Sequence, residues 1–227
     1  VAKQARLASS AAKSLLQKRW DTEGISSTLC ALDVTLNYVR DRAPIIVHFN
    51  AQRILHHLVR DTHYRNAFEV HPGSHSSREQ WERRMFGTHY DRSSPQDRVK
   101  YGVFNITHDH FGVSSCSTYG LSYLVLKNVR LRTTFADKDT SNTNSVLATC
   151  QDYCHVLLKY STEELRAVAE VAGGHKPCGR SSDIMSIYKE VQIHGPIKLD
   201  EHVQVVAVSN AELNQMGRKN EGERLMQ

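Results

Sequence analysis

Three groups of residues have the type and spacing to do chemistry. The first is Glu190, at the head of Glu190-Val191-Gln192-Ile193-His194-Gly195-Pro196. This run reads as a short strand that carries one carboxylate at its start and ends in a Gly-Pro turn. Before it lies a long polar loop, residues 172–186, rich in Gly, Ser, Lys and Arg. A carboxylate on a rigid strand beside such a loop suits a site that handles a sugar cation, because fixed negative charge stabilises a developing positive one. The plainer alternative is a solvated edge residue. The second group is Arg65, in Thr62-His63-Tyr64-Arg65-Asn66-Ala67-Phe68-Glu69. An Arg in a strand among aromatics is costly to bury unless paired, and its planar fork suits a phosphate or carboxylate. A salt bridge to Glu69 or another surface carboxylate explains it equally well. The third is the hydroxyl-rich run Gly112-Val113-Ser114-Ser115-Cys116-Ser117-Thr118-Tyr119, which at a strand start could hold a cleft and donate to a carboxylate.

The elements that must position these residues follow from periodicity. Residues 3–19 and 24–41 read as two helices, with Leu7, Ala11, Leu15 and Leu16 on one apolar face and Leu29, Leu32, Leu36 and Val39 on the other. Residues 45–49 are a buried-strand run, followed by a helix over 51–59 and a strand over 64–70. Ser76 or Ser77 can cap a helix through Trp81 and Met85. Strands are expected over 99–106, 120–126 and 129–135, and a helix over 146–158. Ser161-Thr162-Glu163-Glu164 opens a helix over 165–171 as a capping box. The strand at Glu190 and segments 197–199 and 203–208 close the sheet, and the charged tail from 210 is a surface helix or frayed. Helices followed by short strands with few helices between them predict an α+β fold. The expected division is an N-terminal helical region over 1–42, a main domain over 43–209 and a tail over 210–227.

Bulk composition narrows the partners. The 227 residues suffice for one sizeable core. No run approaches the roughly 18 apolar residues that span a bilayer, and the start has no apolar signal-like segment. A net charge of +5 and a pI near 9.0 favour acidic partners such as a dinucleotide or a negative protein face. Lys and Arg are dispersed, with no basic stripe interleaved with aromatics, so nucleic acid is not expected. Five cysteines are an odd number, which favours a reducing compartment and core thiols. Cys150, Cys154 and His155, with His175 and Cys178 downstream, could be forced into a zinc site. However, Cys150 and Cys154 at i, i+4 read as core thiols on a buried helix face, the histidines show no His-Glu-x-x-His spacing, and no metal is expected.

Taken in order, Arg65, the Ser-x-Ser of Ser115 and Ser117, and Glu190 resemble the layout of the ADP-ribosyltransferase superfamily. The chain is similar in particular to an uncharacterised bacterial domain family grouped with it. The resemblance lies in Val47-His48-Phe49-Asn50-Ala51-Gln52-Arg53, Tyr64-Arg65-Asn66-Ala67-Phe68-Glu69, Trp81-Glu82-Arg83-Arg84-Met85-Phe86-Gly87, Lys100-Tyr101-Gly102-Val103-Phe104-Asn105 and the Glu190 strand. It covers about residues 43–209 and implies an ADP-ribosyltransferase-like split mixed sheet with flanking helices. A fainter likeness is to bacterial effectors that ADP-ribosylate ubiquitin on threonine, which would place a secreted protein in a host cytosol and otherwise a cytoplasmic one.

This resemblance implies that NAD is a substrate. Glu190 would stabilise the oxocarbenium-like state, and Arg65 would bind the pyrophosphate or the nicotinamide-side ribose. Ser115 and Ser117 would buttress the cleft, and Tyr101 or Phe104 would pack on a ring. The family's Thr-Gly-x-Ser-Asn-Gly loop is replaced by His71-Pro72-Gly73-Ser74-His75-Ser76, which keeps Gly73 and Ser74 as candidate NAD contacts. Arginine-modifying relatives carry a second Glu two residues before the catalytic one. This chain has Tyr188 there, which points to a Thr or Ser hydroxyl on a protein, with Lys176 and Arg180 contacting that protein and the enzyme acting as a monomer. A binding module of the same fold that does no chemistry, or a transferase acting on nucleic acid, are the rival expectations.

Overall fold

The apolar run at residues 45–49 forms β1 (Ile45–Phe49), buried along its whole length because both faces of the surrounding sheet are covered. The computed structural model describes residues 1–71, 73, 75–141, 145–175 and 188–225, with 218–225 as backbone only. β1 sits near the middle of a seven-stranded sheet with β3 (Lys100–Phe104), β4 (Ser122–Leu126), β5 (Thr133–Ala136), β6 (Leu147–Thr149), β7 (Glu190–Ile193) and β9 (Val203–Ala207). The order is β6-β5-β7-β3-β1-β4-β9, and every neighbouring pair is antiparallel. β2 (His63–Tyr64) and β8 (Ile197–Lys198) form a separate antiparallel pair. The chain is thus a mixed helix-and-strand fold on an antiparallel sheet.

Alternation along the strands gives the sheet two different faces. Ile45, Val47, Phe49, Phe104, Leu124, Phe135, Val191 and Ile193 enter the main core. Ile46, Val103 and Tyr123 turn the other way into a smaller cluster with Val113 and Cys116. Glu190 is opposite Val103, and Gln192 is opposite both Tyr101 and Thr134. Polar side chains therefore gather on the second face.

The N-terminal helices α1 (Ala2–Thr22), α2 (Ile25–Thr28) and α3 (Leu32–Asp41) share the main core, so residue 42 is not a packing boundary. The face of α1 is not the expected one. Leu7 and Leu15 are exposed, whereas Ala5, Ser9, Ala12, Leu16 and Trp20 are buried. Small residues let α1 approach α7 (Cys154–Leu157) closely, and Ser9 Oγ accepts the Cys154 amide at 3.1 Å. Trp20 is fully buried and donates its indole N–H to Cys30 O at 2.9 Å.

Several other elements differ from expectation. The segment read as a strand over 64–70 is β2 followed by α5 (Ala67–Val70), because Asn66 and Glu69 close a capping box. The segment read as a helix over 146–158 splits into β6 and α7, so Cys150 and Cys154, both buried, do not share a helix. Residues 114–119 form a 3-10 helix rather than a strand start. It ends at Gly120 (φ +130°), where a Cβ would lie 2.0 Å from Phe49 O, so only glycine permits the approach to β1. The Ser161–Glu164 capping box opens α8 (Thr162–Ala172), and α4 (Ala51–Arg60) and α6 (Ser76–Phe86) also match expectation. The cap of α6 does not: His75 stands at that position with no side-chain hydrogen bond.

The C-terminal segment is anchored by its first turn. Helix Asn210–Leu225 buries Glu212, whose carboxylate accepts from Ala51 N and Leu121 N, each at 2.9 Å, and from Ser122 Oγ at 2.6 Å. Among the described residues no helix is long and apolar enough to cross a membrane.

Candidate functional site

The polar face of the sheet opens into a cavity of about 350 Å³. Its floor is β3 and β7. α6 contributes Arg78 and Trp81, the β2–α5 junction contributes Tyr64 and Arg65, and the loop after β5 contributes Asp139, Thr140 and Ser141. That volume is at the lower end of ligand pockets, roughly 300–1,000 Å³, and takes a nucleoside-sized piece of a ligand.

Glu190 opens β7 and is buried. Its Oε1 accepts from the Thr140 hydroxyl, and from Gln192 Nε2 at 2.9 Å; Thr140 N approaches Oε2 at 3.4 Å. Burial pushes this carboxyl above its ordinary value, against the hydrogen bonds from Thr140 and Gln192, and nearby Asp139 adds to the rise. The strand start is itself pinned from behind. Buried Lys189 pairs with Glu164 of α8 at 2.9 Å and lies 4.3 Å over the Tyr160 ring.

A second carboxyl, Asp139, lies beside the first. Tyr188 Oη donates to Asp139 Oδ2 at 2.6 Å, and Ser141 N donates to Oδ1 at 2.7 Å. Burial alone would push Asp139 up, but these bonds outweigh it and hold the group below its ordinary value. Two neighbouring carboxyls are thus driven in opposite directions by their surroundings. Arg84 of α6 fixes the loop that carries Asp139 by donating to the carbonyls of Thr140 and Ser141.

Cations and rings line the rest. Arg65 is half-exposed and donates to Asp61 at 2.6 Å. Its partner is therefore Asp61 and not Glu69, which instead pairs with His63 at 2.6 Å. The Arg78 guanidinium lies 5.9 Å from the centre of the Tyr101 ring. Lys100 is buried, with Nζ donating to the carbonyls of Gln96 and Arg98, and burial pushes its ammonium down to about 8. Tyr101 Oη is buried without a hydrogen-bond partner among the described residues, and such a group costs stability unless a ligand meets it. His48 accepts from Val113 N at 3.0 Å, so its other nitrogen donates to Gly120 O at 2.9 Å. Both nitrogens are used, burial holds the ring neutral, and His48 braces the wall. Cys116 also lines the cavity, its thiol pushed up by burial to about 12.

Of the candidates read from sequence, Glu190, Arg65, Tyr101 and Tyr188 meet in this cavity. Phe104 does not: it alternates to the core face and packs edge-on against Phe135 at 4.8 Å. In the 3-10 turn it is Cys116 and Tyr119 that line the cavity, not Ser115 or Ser117. Ser117 is exposed, and Ser115 Oγ is buried without a partner among the described residues. Gly73 is exposed and lies outside the lining, while Ser74, Lys176 and Arg180 lie outside the described residues. Sequence reasoning missed Asp139, Thr140, Arg78, Lys100 and Gln192. The first two sat in what reads as a plain polar break. Gln192 had a visible signal, since it shares a strand face with Glu190 at a spacing of two. Among the described residues no group of three or more His, Cys, Asp or Glu side chains is placed to hold a metal.

No curated protein matches the chain. A family model does, over residues 34–178, a stretch that takes in Arg65, Arg78, Tyr101, Asp139 and Thr140 and stops short of Tyr188 and Glu190. That match spans more than half of the sequence, and the chain belongs to the family described as protein of unknown function, DUF3626.

Proposed function

We propose that the protein is an NAD-consuming ADP-ribosyltransferase that modifies a hydroxyl on another protein. What carries this is the buried Glu190 carboxyl at the floor of a cavity whose walls hold Arg65, Arg78 and four tyrosines. An ionised Glu190 would stabilise positive charge building on the ribose as the bond to nicotinamide breaks. A bound nicotinamide is itself cationic, which favours that ionised form despite burial. The bonding electrons leave with the nicotinamide nitrogen, the acceptor oxygen bonds to the ribose carbon, and Asp139 takes the acceptor's proton. Arg65 and Arg78 suit the pyrophosphate, and Tyr101 offers an unpaired hydroxyl to the ligand.

The decisive experiment measures nicotinamide release and transfer of adenine-labelled ADP-ribose to proteins, in wild type and Glu190→Gln. The variant should lose at least about a hundredfold in rate. It should fold at least as well, because burial opposes the charge that the substitution removes. Absence of both NAD binding and nicotinamide release by the wild type would overturn the proposal. Near wild-type release by the variant would remove Glu190 from its role.

A further inference from the structure

Behind Glu190 runs a file of polar side chains, all buried except the half-buried His194. Gln192 Nε2 donates to Glu190 Oε1 at 2.9 Å, and Thr134 Oγ1 donates to Gln192 Oε1 at 2.9 Å. Thr134 has then used its only hydrogen, so His194 Nε2, 3.1 Å from the same oxygen, must be the N–H donor there. A neutral imidazole protonated on Nε2 has a bare Nδ1, and that nitrogen meets the Tyr90 hydroxyl. The donor sense is thus single from end to end: Tyr90 to His194, to Thr134, to Gln192, to Glu190.

The surroundings keep this sense. Burial, with His89 and Arg132 nearby, pushes His194 down to about 4, so it stays neutral. Burial, with Glu82 nearby, pushes Tyr90 up to about 12, so it keeps its proton. Phe86 covers the His194 ring edge-on at 5.0 Å, and Arg132 donates to the His194 carbonyl. Around Glu190 itself the facing groups are Asp139, Tyr101 and Cys116. Gln192 is fully buried and Thr134 nearly so. Apolar side chains would pack there without the cost of desolvating four polar groups.

We propose that Gln192, Thr134, His194 and Tyr90 are positioning residues for Glu190. Their one-way file fixes the Gln192 amide with its N–H toward Oε1, which holds the carboxylate in one rotamer. A file of this kind polarises each successive bond, so its far members act through the near one. The role for catalysis rests on the transferase reading above; the effect on Glu190 does not.

Two substitutions at Thr134 separate this from packing. Thr134→Val keeps the shape and loses the hydroxyl, and Thr134→Ser keeps the hydroxyl and loses a methyl. The Glu190 carboxyl is titrated by ¹³C NMR without NAD, and kcat and KM for nicotinamide release are measured across pH. Thr134→Val frees the Gln192 amide to turn, and should raise the Glu190 pKa and lower kcat about ten- to a hundredfold with KM held, the effect of losing the Gln192 hydrogen bond to the charged carboxyl. Thr134→Ser should behave as wild type. The reverse order, or a Val variant that titrates as wild type, overturns the proposal. Should Thr134→Val fail to fold, Tyr90→Phe at the far end must move the Glu190 titration upward by a smaller amount, and no movement overturns it equally. A shifted titration in a protein that releases no nicotinamide keeps the file and discards the transferase.

Discussion

Tyr188 donates its hydroxyl to Asp139 at 2.6 Å across 49 positions of sequence, and so stations a second carboxylate beside Glu190. The residues just before Glu190 contain none. Under the proposed transferase reading, Asp139 as an ionised group would take the proton of the acceptor hydroxyl. The pair makes a prediction about pH. Asp139 lies below its ordinary value because the bonds from Tyr188 and Ser141 outweigh burial. Tyr188→Phe removes one of those bonds and raises the Asp139 value. The Asp139 carboxyl, followed by ¹³C NMR without NAD, should therefore titrate at higher pH in the variant, while the fold is kept because the ring remains. A titration that did not move would show that the Tyr188 bond does not hold Asp139 in its ionised form.

The sheet was legible because its strands are short apolar runs between clear turn residues, as at Ile45–Phe49 and Ser122–Leu126. The Glu190 strand was legible from the alternation of Val191 and Ile193 with polar residues and from the Gly195-Pro196 turn after them. α1 was misread at its face because two leucines outweighed three small residues in the pattern, whereas close helix approach needs the small ones. Residues 64–70 were misread because β-rich composition competes with a capping box that only the side chains of Asn66 and Glu69 can close. Asp139 and Thr140 could not be read at all. A loop reveals its function only once strand register brings it to a site, and register here is set by pairings between residues about 60 positions apart, such as Thr134 with Gln192.

Glu82 of α6 supplies a stability test independent of any substrate. It is almost fully buried, with Arg98 at 3.3 Å and no hydrogen-bond partner for either oxygen among the described residues. Burial pushes its carboxyl up to about 7 despite the Arg98 charge. The folded protein therefore holds this proton more tightly than the unfolded chain does. That contribution is whole below the ordinary carboxylate range and is lost as pH rises through about 7. Urea denaturation should give lower stability at pH about 8 than at about 5, and Glu82→Gln should flatten the difference. Equal slopes in the two proteins would mean that Glu82 stays ionised, held by Arg98.

Glu212 tests whether the C-terminal helix belongs to the domain. Its carboxylate takes the amides of Ala51 and Leu121 and the hydroxyl of Ser122, and so ties the N-terminus of α4 and the start of β4 to one side chain. Ser122 Oγ in turn accepts from Ser209 N at 3.0 Å, which closes the junction. Burial would push this carboxyl up, but the donors outweigh it and hold it below its ordinary value. The stabilisation is therefore present above the unfolded carboxylate range and is lost as pH falls through the lower folded value. Glu212→Ala strands two amide donors, at a cost of about 2–4 kcal/mol near neutral pH. Glu212→Gln retains one acceptor and should lose less. Ending the chain after Ser209 should cost as much as Glu212→Ala, measured by urea midpoint. If the truncated protein instead matched wild type while Glu212→Ala did not, the damage in the substitution would come from the stranded amides of a helix still in place, and the helix would not be part of what holds the sheet.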